Sequence, residues 1–510
     1  MKAYSLTQYK ELLMGKNLVE EENLYGVGET CVTGLTYNSK EAKKGTLFIC
    51  KGATFKREYL EEAIKRGAVA YISDVKYELA TEVPYLLVSD IRRVMPIVAE
   101  WFYQEPQKKL TIIGVGGTKG KTTTSFYIKA IIDAYSKKRG EKPCAILSSI
   151  ITYDGENEEV AHNTTPEAME VYRHLSNAAL NGLKYVVMEV SSQALKYHRV
   201  DGLFFDVGVF LNLSEDHISP VEHQDFADYF HSKMCMFKQT KVAVVNLDSD
   251  YKDEILPYAK EATRMLTFAS TDENADVKGS QISSITGGSR FFVQGNNQKG
   301  VDIEGTFTLS MPGLFNVDNA LAGITVASVL GIPVADSKEG LEKAKVKGRM
   351  EIYHSKDEKI IGIVDYAHNK LSFEKLFSSL KTEFPDYSIT AVFGCPGGKA
   401  FQRREELGRV AGAFADKVIL TADEPGFERV ADISKEIAKY VTLEGCPYVM
   451  IEDRGEALLT AIMEASGKTL VVAAGKGHEG SQKIGNQYVK TPSDIEYMEK
   501  YIEDYNNKRG

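Results

Sequence analysis

Short apolar runs that end in a polar residue recur along the chain, and helical patterns separate them. The run 110–113 leads into a glycine-rich turn at 114–120, and residues 122–135 then carry apolar positions at helical spacing. The run 185–188 leads into Glu189, 207–211 into Asn212, and 242–245 into Asn246. Runs this short and this apolar predict parallel strands buried on both faces. Ligands of such sheets collect at the carboxyl ends of strands, where these polar residues stand. Between Asp276 and Leu309, the turn signals Gly287-Gly288 and Gly295-Asn296-Asn297 predict antiparallel hairpins instead. After Gly348 a second series begins, with strands expected at 361–364, 389–393, 418–420 and 470–473. The N-terminal stretch mixes short strands, such as 46–50, with a helical pattern near 61–66. The pattern predicts an α/β protein.

A chain of 510 residues is too long for one hydrophobic core, and length argues for about three domains. Changes in pattern place them at 1–107, 108–345 and 346–510. No apolar run approaches the roughly 18 residues that span a bilayer. The N-terminus lacks the apolar stretch of a secretory signal, so a soluble, cytoplasmic protein is expected. The six cysteines, Cys31, Cys50, Cys144, Cys235, Cys395 and Cys446, form no CxxC pair, which argues against a zinc site or a disulfide framework and for reduced, mostly buried thiols. A net charge of −9 argues against a nucleic-acid partner, because phosphate neutralisation needs clustered Lys and Arg. Anionic ligands must then be met by local sites.

One such site is legible at Gly114-Val115-Gly116-Gly117-Thr118-Lys119-Gly120-Lys121-Thr122-Thr123, between an expected strand and an expected helix. Glycines there let backbone N–H groups turn inward around phosphate oxygens, and the helix N-terminus adds positive potential. Lys121 can reach the terminal phosphates, and Thr122 can ligate Mg²⁺. Five residues rather than four separate Gly114 from Gly120, so the generic P-loop spacing fails. The loop resembles instead the Gly-Thr-Asn-Gly-Lys-Thr loop of the Mur ligase family and of folylpolyglutamate synthases, with Lys119 in place of Asn.

That resemblance to the Mur ligase family extends along nearly the whole chain. It implies a small N-terminal α/β domain that receives the UDP part of a nucleotide substrate, a central P-loop ATPase-like parallel sheet with an antiparallel addition, and a C-terminal Rossmann-like domain. Asn38-Ser39-Lys40 with Lys44-Gly45-Thr46-Leu47-Phe48 resembles the family's uridine-side element, with Ser39 as the implied contact, although Lys56-Arg57-Glu58 stand where the family has Asp-Gly-His. Asn163-Thr164-Thr165-Pro166 resembles the element that holds a muramyl-peptide, through Thr164 and Thr165. Glu189-Val190-Ser191-Ser192 resembles an element whose Glu ligates Mg²⁺ and whose Ser touches substrate, here read as Ser192, and Arg199 would clamp substrate anions. The resemblance places His217 on a second Mg²⁺ and makes Lys233 the lysine that is carbamylated in these ligases, giving a metal set of Thr122, Glu189, His217 and Lys233. Catalysis would rest on Lys121, Glu189, His217 and Lys233. ATP would be contacted by residues 117–123 (Gly117, Thr118, Lys119, Gly120, Lys121, Thr122 and Thr123) and by Asn316 and Asn319. Arg349, Asp365 and His368 would complete that site once the third domain closes.

The family's tripeptide-forming branch selects its amino acid through two motifs that carry arginines for the distal carboxylate of meso-diaminopimelate. Here Lys399 and Gly426 occupy those two places, although Arg403 or Arg404 could compensate. Asp423, Glu424, Gly475 and Glu479 match the other substrate positions, and the carboxylates of Asp423 and Glu479 could receive a side-chain ammonium. The expected reaction is ATP-dependent addition of a basic amino acid, L-lysine before diaminopimelate, to UDP-N-acetylmuramoyl-L-alanyl-D-glutamate through an acyl phosphate, by a monomer acting on small molecules. A related amide ligase with another acceptor is the nearest alternative. An NTP-binding regulatory module is the second, although no Asn-Lys-x-Asp guanine-reading motif is present.

Overall fold

The computed structural model describes residues 3–52, 55–214, 222–285 and 287–509. The chain forms two compact units, one of Met1–Lys121, Tyr135–Val245 and Ser249–Leu266, the other of Thr122–Ala134, Asn246–Asp248 and Thr267–Gly510.

In the first unit a five-stranded sheet runs in the order Val19–Asn23, Tyr85–Val88, Ala68–Ser73, Thr46–Ile49, Gly34–Thr36. Its first pair is antiparallel and the rest are parallel. The helix Ile91–Phe102 follows, started by the Asp90 carboxylate, which accepts from the Arg92 and Arg93 amides. Its apolar face, Val94, Met95 and Val98, shares one core with Val171, Tyr172 and Leu175 of the helix Ala168–Leu180, so this N-terminal layer is packed onto the layer that carries the glycine-rich loop. There the strands run in the order Glu158–Val160, Ile151–Tyr153, Ala145–Leu147, Tyr185–Glu189, Thr111–Gly116, Phe205–Phe210, Thr240–Asn246. From Ala145–Leu147 onward all are parallel, as their uninterrupted apolar runs require.

The expected turn at 114–120 is shorter in the structure, because the strand Thr111–Gly116 runs on through its first two glycines. A Cβ on Gly114 would stand 2.8 Å from the Phe205 ring, and one on Gly116 2.8 Å from Met236 Sδ. These two glycines admit neighbouring side chains against the sheet. The wrapping is left to 117–120, where Gly117 (φ 137°) and Gly120 (φ 83°) adopt backbone that other residues avoid.

In the second unit the expected hairpins are present as Val277–Ile285, Gly288–Gly295 and Glu304–Leu309, paired antiparallel. The helix Asn316–Val329 is buried on nearly every side, and Gly323 within it faces Tyr127 and Ile131. The helix Val334–Lys343 comes closer still, with Gly340 against the Ile131 backbone. A six-stranded sheet follows in the order Glu351–His354, Ile360–Asp365, Thr469–Ala474, Ser388–Phe393, Lys417–Leu420, Tyr448–Met450, parallel except for its first pair. The helices Lys370–Glu383, Gln402–Phe414 and Val430–Leu443 share one apolar core on one face, and Arg454–Met463 and Asp494–Arg509 share another on the opposite face. This doubly covered sheet explains why every strand of its centre reads as a continuous apolar run. Among the described residues no helix is long and apolar enough to cross a membrane.

Candidate active site

The glycine loop is held open by side chains that come from other strand ends. Asn212, just past Phe205–Phe210, accepts the Lys119 amide at Oδ1 (2.8 Å) and donates from Nδ2 to the Lys119 carbonyl (3.0 Å), while its own carbonyl takes the Thr118 amide (2.9 Å). The Thr118 hydroxyl is buried 3.0 Å from the Tyr229 hydroxyl. Lys121 Nζ folds back over the loop to the carbonyls of Gly117 (3.0 Å) and Thr118 (3.1 Å), and Lys233 Nζ, itself buried, donates to the Gly117 carbonyl at 2.7 Å. Two ammonium groups therefore converge on one short loop at the N-terminus of Lys121–Lys138, an arrangement suited to phosphate oxygens. The strand-end position of Asn212 was legible in the sequence, but its clamp on Lys119 was not, and Tyr229 was legible only as the first residue of the motif that carries Lys233, without its contact to Thr118. His217 lies outside the described residues.

Glu189 ends the strand next to the loop's own strand and is buried. Its carboxylate accepts from the Ser149 amide (2.7 Å), and the Ser149 hydroxyl stands 3.1 Å from its second oxygen and 3.2 Å from the Thr164 hydroxyl. Thr165 donates to the Glu189 carbonyl (2.8 Å) and accepts from the Ser191 amide (3.0 Å). Arg199 reaches the Thr165 carbonyl (3.1 Å) and pairs with Glu167 (2.9 Å), whose other oxygen holds Lys51 (2.7 Å). Thr164, Thr165, Glu189 and Arg199 are thus brought together as the sequence motifs suggested. Ser192 is buried beneath them, its hydroxyl 2.9 Å from His223 Nε2, and Ser191 is the more exposed of the pair. Ser39 is also buried, with its hydroxyl donating to Glu62 (2.7 Å).

In the second unit Thr122 and Thr123 are buried in the first turn of their helix. Thr124 donates to Asn319 Oδ1 (3.3 Å), Asn319 Nδ2 to Asn316 Oδ1 (3.1 Å), and Asn316 Nδ2 to the Pro312 carbonyl (2.7 Å). This string ties the two candidate asparagines to the helix that follows the glycine loop. The Asp365 carboxylate caps two amides, Met350 (2.9 Å) and Ala367 (2.8 Å), and burial pushes its pKa up against the pull of Arg349. The Arg349 guanidinium and the His368 ring both lie against Tyr366.

The strand-end loops after Lys417–Leu420 and Thr469–Ala474 bring the other candidates together. Gly475 (φ 105°) has no Cβ to obstruct Asp423, whose Oδ2 would stand 3.1 Å from one. Burial pushes the Asp423 carboxyl up to about 6, with Lys476 and Arg454 pulling it down. Lys476 Nζ, buried, pairs with Glu479 (2.7 Å) and stands 3.9 Å from Glu424. Beside them opens a cavity of about 340 Å³, lined among others by Gly426, Glu428, Lys476, Glu479 and Ile484. Lys399 is largely exposed, 3.7 Å from Glu424. Arg404 does not compensate for the missing arginines, because its guanidinium is buried and engaged by Glu428 (2.9 and 3.0 Å) and Glu436 (2.6 Å). Both loops are fixed from behind by Arg454, which donates to the carbonyls of Ala422 (3.1 Å) and Ala474 (2.9 Å) and pairs in a fork with Asp494. Such a pair costs about 3–5 kcal/mol when one partner is removed. Sequence reasoning missed it, since a pair formed across 40 residues leaves no local signal.

A glycine loop with two converging lysines, a buried carboxylate at the adjoining strand end and a second α/β sheet bearing its own acidic cluster define an acid–amine ligase of the Mur ligase family, and the chain belongs to that family. It matches the Mur ligase middle domain over residues 115–327 and the Mur ligase, glutamate ligase domain over 348–477. It is 36% identical over 482 residues to UDP-N-acetylmuramoyl-L-alanyl-D-glutamate--L-lysine ligase of Enterococcus faecalis (strain ATCC 700802 / V583), covering 94% of this chain and 93% of that protein. Among solved structures it is similar to a UDP-N-acetylmuramoyl-L-alanyl-D-glutamate--2,6-diaminopimelate ligase (TM-score 0.65, 25% identity, 100% of this chain and 99% of that one). It also shares its fold with MurF ligase from Thermotoga maritima in complex with ADP (TM-score 0.62, 20% identity, 94% and 98% covered).

Proposed function

We propose that the protein joins L-lysine to UDP-N-acetylmuramoyl-L-alanyl-D-glutamate with hydrolysis of ATP to ADP and phosphate, a step in peptidoglycan precursor synthesis. The observation that carries the choice of lysine is the acidic cluster of Asp423, Glu424 and Glu479, beside which Arg404, one of the two arginines that could have gripped a second carboxylate, is bound to Glu428 and Glu436. A side-chain ammonium is favoured there and a distal carboxylate is not. The similarity to ligases named for L-lysine points the same way.

In the reaction a carboxylate oxygen of the acceptor attacks the γ-phosphorus of ATP, and ADP leaves. The α-amine of lysine attacks the resulting acyl phosphate, loses a proton, and expels phosphate as the amide forms. Lys121 stabilises the transferring group, and the glycine loop with the N-terminus of Lys121–Lys138 cradles the phosphates. Thr164, Thr165 and Arg199 orient the acceptor's peptide end. Mg²⁺ would offset the charge on the phosphates. Of the residues expected to hold it, Glu189 and Thr122 each carry an oxygen donor of the kind a hard cation takes. Lys233 carbamylated at Nζ would retain one N–H for the Gly117 carbonyl while gaining anionic oxygens. The same reading divides the chain at 1–107, 108–345 and 346–510, for UDP-substrate, ATP and amino acid, in a cytoplasmic monomer.

Phosphate release tests the class of reaction. Turnover should be slow with ATP and either co-substrate alone and rise at least about tenfold when acceptor and lysine are both present, because the acyl phosphate needs both for steady turnover. Rapid release with ATP alone would mark a nucleotide hydrolase and reject the ligase reading.

A further inference from the structure

Tyr366 follows the strand Ile360–Asp365 and touches both sets of candidate residues in the C-terminal sheet. The Arg349 guanidinium lies 4.3 Å from its ring centroid. His368 meets the ring edge-on at 5.0 Å, and His478 lies against it at 5.9 Å. The phenol hydroxyl points the other way and donates to Glu479 Oε1 at 2.6 Å. The second oxygen of Glu479 is held by Lys476 at 2.7 Å, and Lys476 also donates to the Ser481 carbonyl at 2.8 Å.

These contacts have unequal effects on Glu479. Lys476 brings a full positive charge and so competes with any incoming ammonium for the same carboxylate. Tyr366 is a neutral donor that fixes the other oxygen without cancelling its charge, and that oxygen keeps a lone pair for a second donor. Burial and the Glu479 carboxylate hold the phenol well above its ordinary titration range, so it donates throughout the working pH range. Without the hydroxyl, only Lys476 would orient Glu479, and Lys476 stands on the side of Ser481 and Glu424.

We infer that Tyr366 is a positioning residue for the incoming amino acid: its hydroxyl holds Glu479 ready for the side-chain ammonium, while its ring supports Arg349 on the nucleotide side. One side chain thereby sets the receptor groups of two substrates. The inference rests on the proposed lysine reading, and its closing experiment separates the two.

The experiment is a double-mutant cycle on the full-length enzyme with Tyr366→Phe, Glu479→Gln and the double variant, read as KM for lysine and for ATP. Tyr366→Phe keeps the ring and removes one hydrogen bond to a charged group, so the lysine KM should rise about tenfold while the ATP KM stays within about twofold. In the Glu479→Gln background the Tyr366→Phe change should have little further effect on lysine KM. Tyr366→Leu, which removes the ring as well, should raise the ATP KM too. An unchanged lysine KM in Tyr366→Phe, an equal rise in ATP KM, or additive effects in the double variant would each overturn the assignment. Should the wild-type enzyme ignore lysine, the substrate reading fails. The cycle is then run on the amino acid that it does incorporate, where absence of coupling overturns the role of Tyr366 independently.

Discussion

At Asp423 burial outweighs two neighbouring cations and leaves the carboxyl titrating at about 6. The sign of the consequence follows directly: below that pH the group is protonated and cannot pair with an ammonium, and above it the carboxylate is available. Lysine KM should therefore fall about tenfold between pH 5 and pH 7, and Asp423→Asn should flatten that part of the profile. Steady-state kinetics against lysine at saturating ATP and acceptor measures it, and a lysine KM flat from pH 5 to 7 would remove Asp423 from the receptor. Single residues were legible in the sequence where chemistry and local spacing coincide, as at Lys121, Glu189 and Asp423. Their supports were not. Ser149 holds Glu189, Asn212 holds the loop, and Arg454 holds the backbone on either side of the amino-acid loops, each from a distance at which sequence carries no periodic trace.

Among the elements, the helix Lys121–Lys138 carries the start of the phosphate site, and two glycines on its neighbours set how it packs. A Cβ on Gly340 would lie 2.6 Å from Ile131 Cα and 2.7 Å from the Ala130 carbonyl, backbone that cannot yield cheaply, whereas one on Gly323 would come no nearer than 3.4 Å to any neighbour, at Ile131 Cδ1. Gly340→Ala should destabilise the protein by about 1–3 kcal/mol. Gly323→Ala should be neutral or stabilising by up to about 1 kcal/mol, since alanine favours a helix interior. Urea unfolding midpoints compare the two, and equal shifts would show that the close approach is not what sets the helix. The buried parallel strands were readable because both faces are apolar. Of the exposed edge strands, Tyr448–Met450, though apolar, is too short at three residues to show a period, and Glu158–Val160 was not readable, having no apolar face to betray it. The hairpin Ser481–Ile484 with Gln487–Lys490 escaped for the same reason, since its second strand is exposed throughout. The strand Thr111–Gly116 was under-read because glycines that admit Phe205 and Met236 look in sequence like the beginning of a loop.

For the whole molecule, repeated strand-and-helix patterning made the α/β class and its successive sheets legible, because burial on two faces leaves the same mark wherever it occurs. Specificity is carried by something else. The expectation that Arg403 or Arg404 could replace a missing arginine depended on where each guanidinium points, and packing between Gln402–Phe414 and Val430–Leu443 directs that of Arg404 to Glu428 and Glu436. On the proposed function, charge complementarity in that one cluster would decide which amino acid the ligase accepts. The most direct measurement is a competition: enzyme, ATP, Mg²⁺ and UDP-N-acetylmuramoyl-L-alanyl-D-glutamate with equimolar L-lysine, L-ornithine and meso-diaminopimelate, the products weighed by mass spectrometry. The account predicts that the lysine adduct dominates. A product mixture dominated by the diaminopimelate adduct would contradict it.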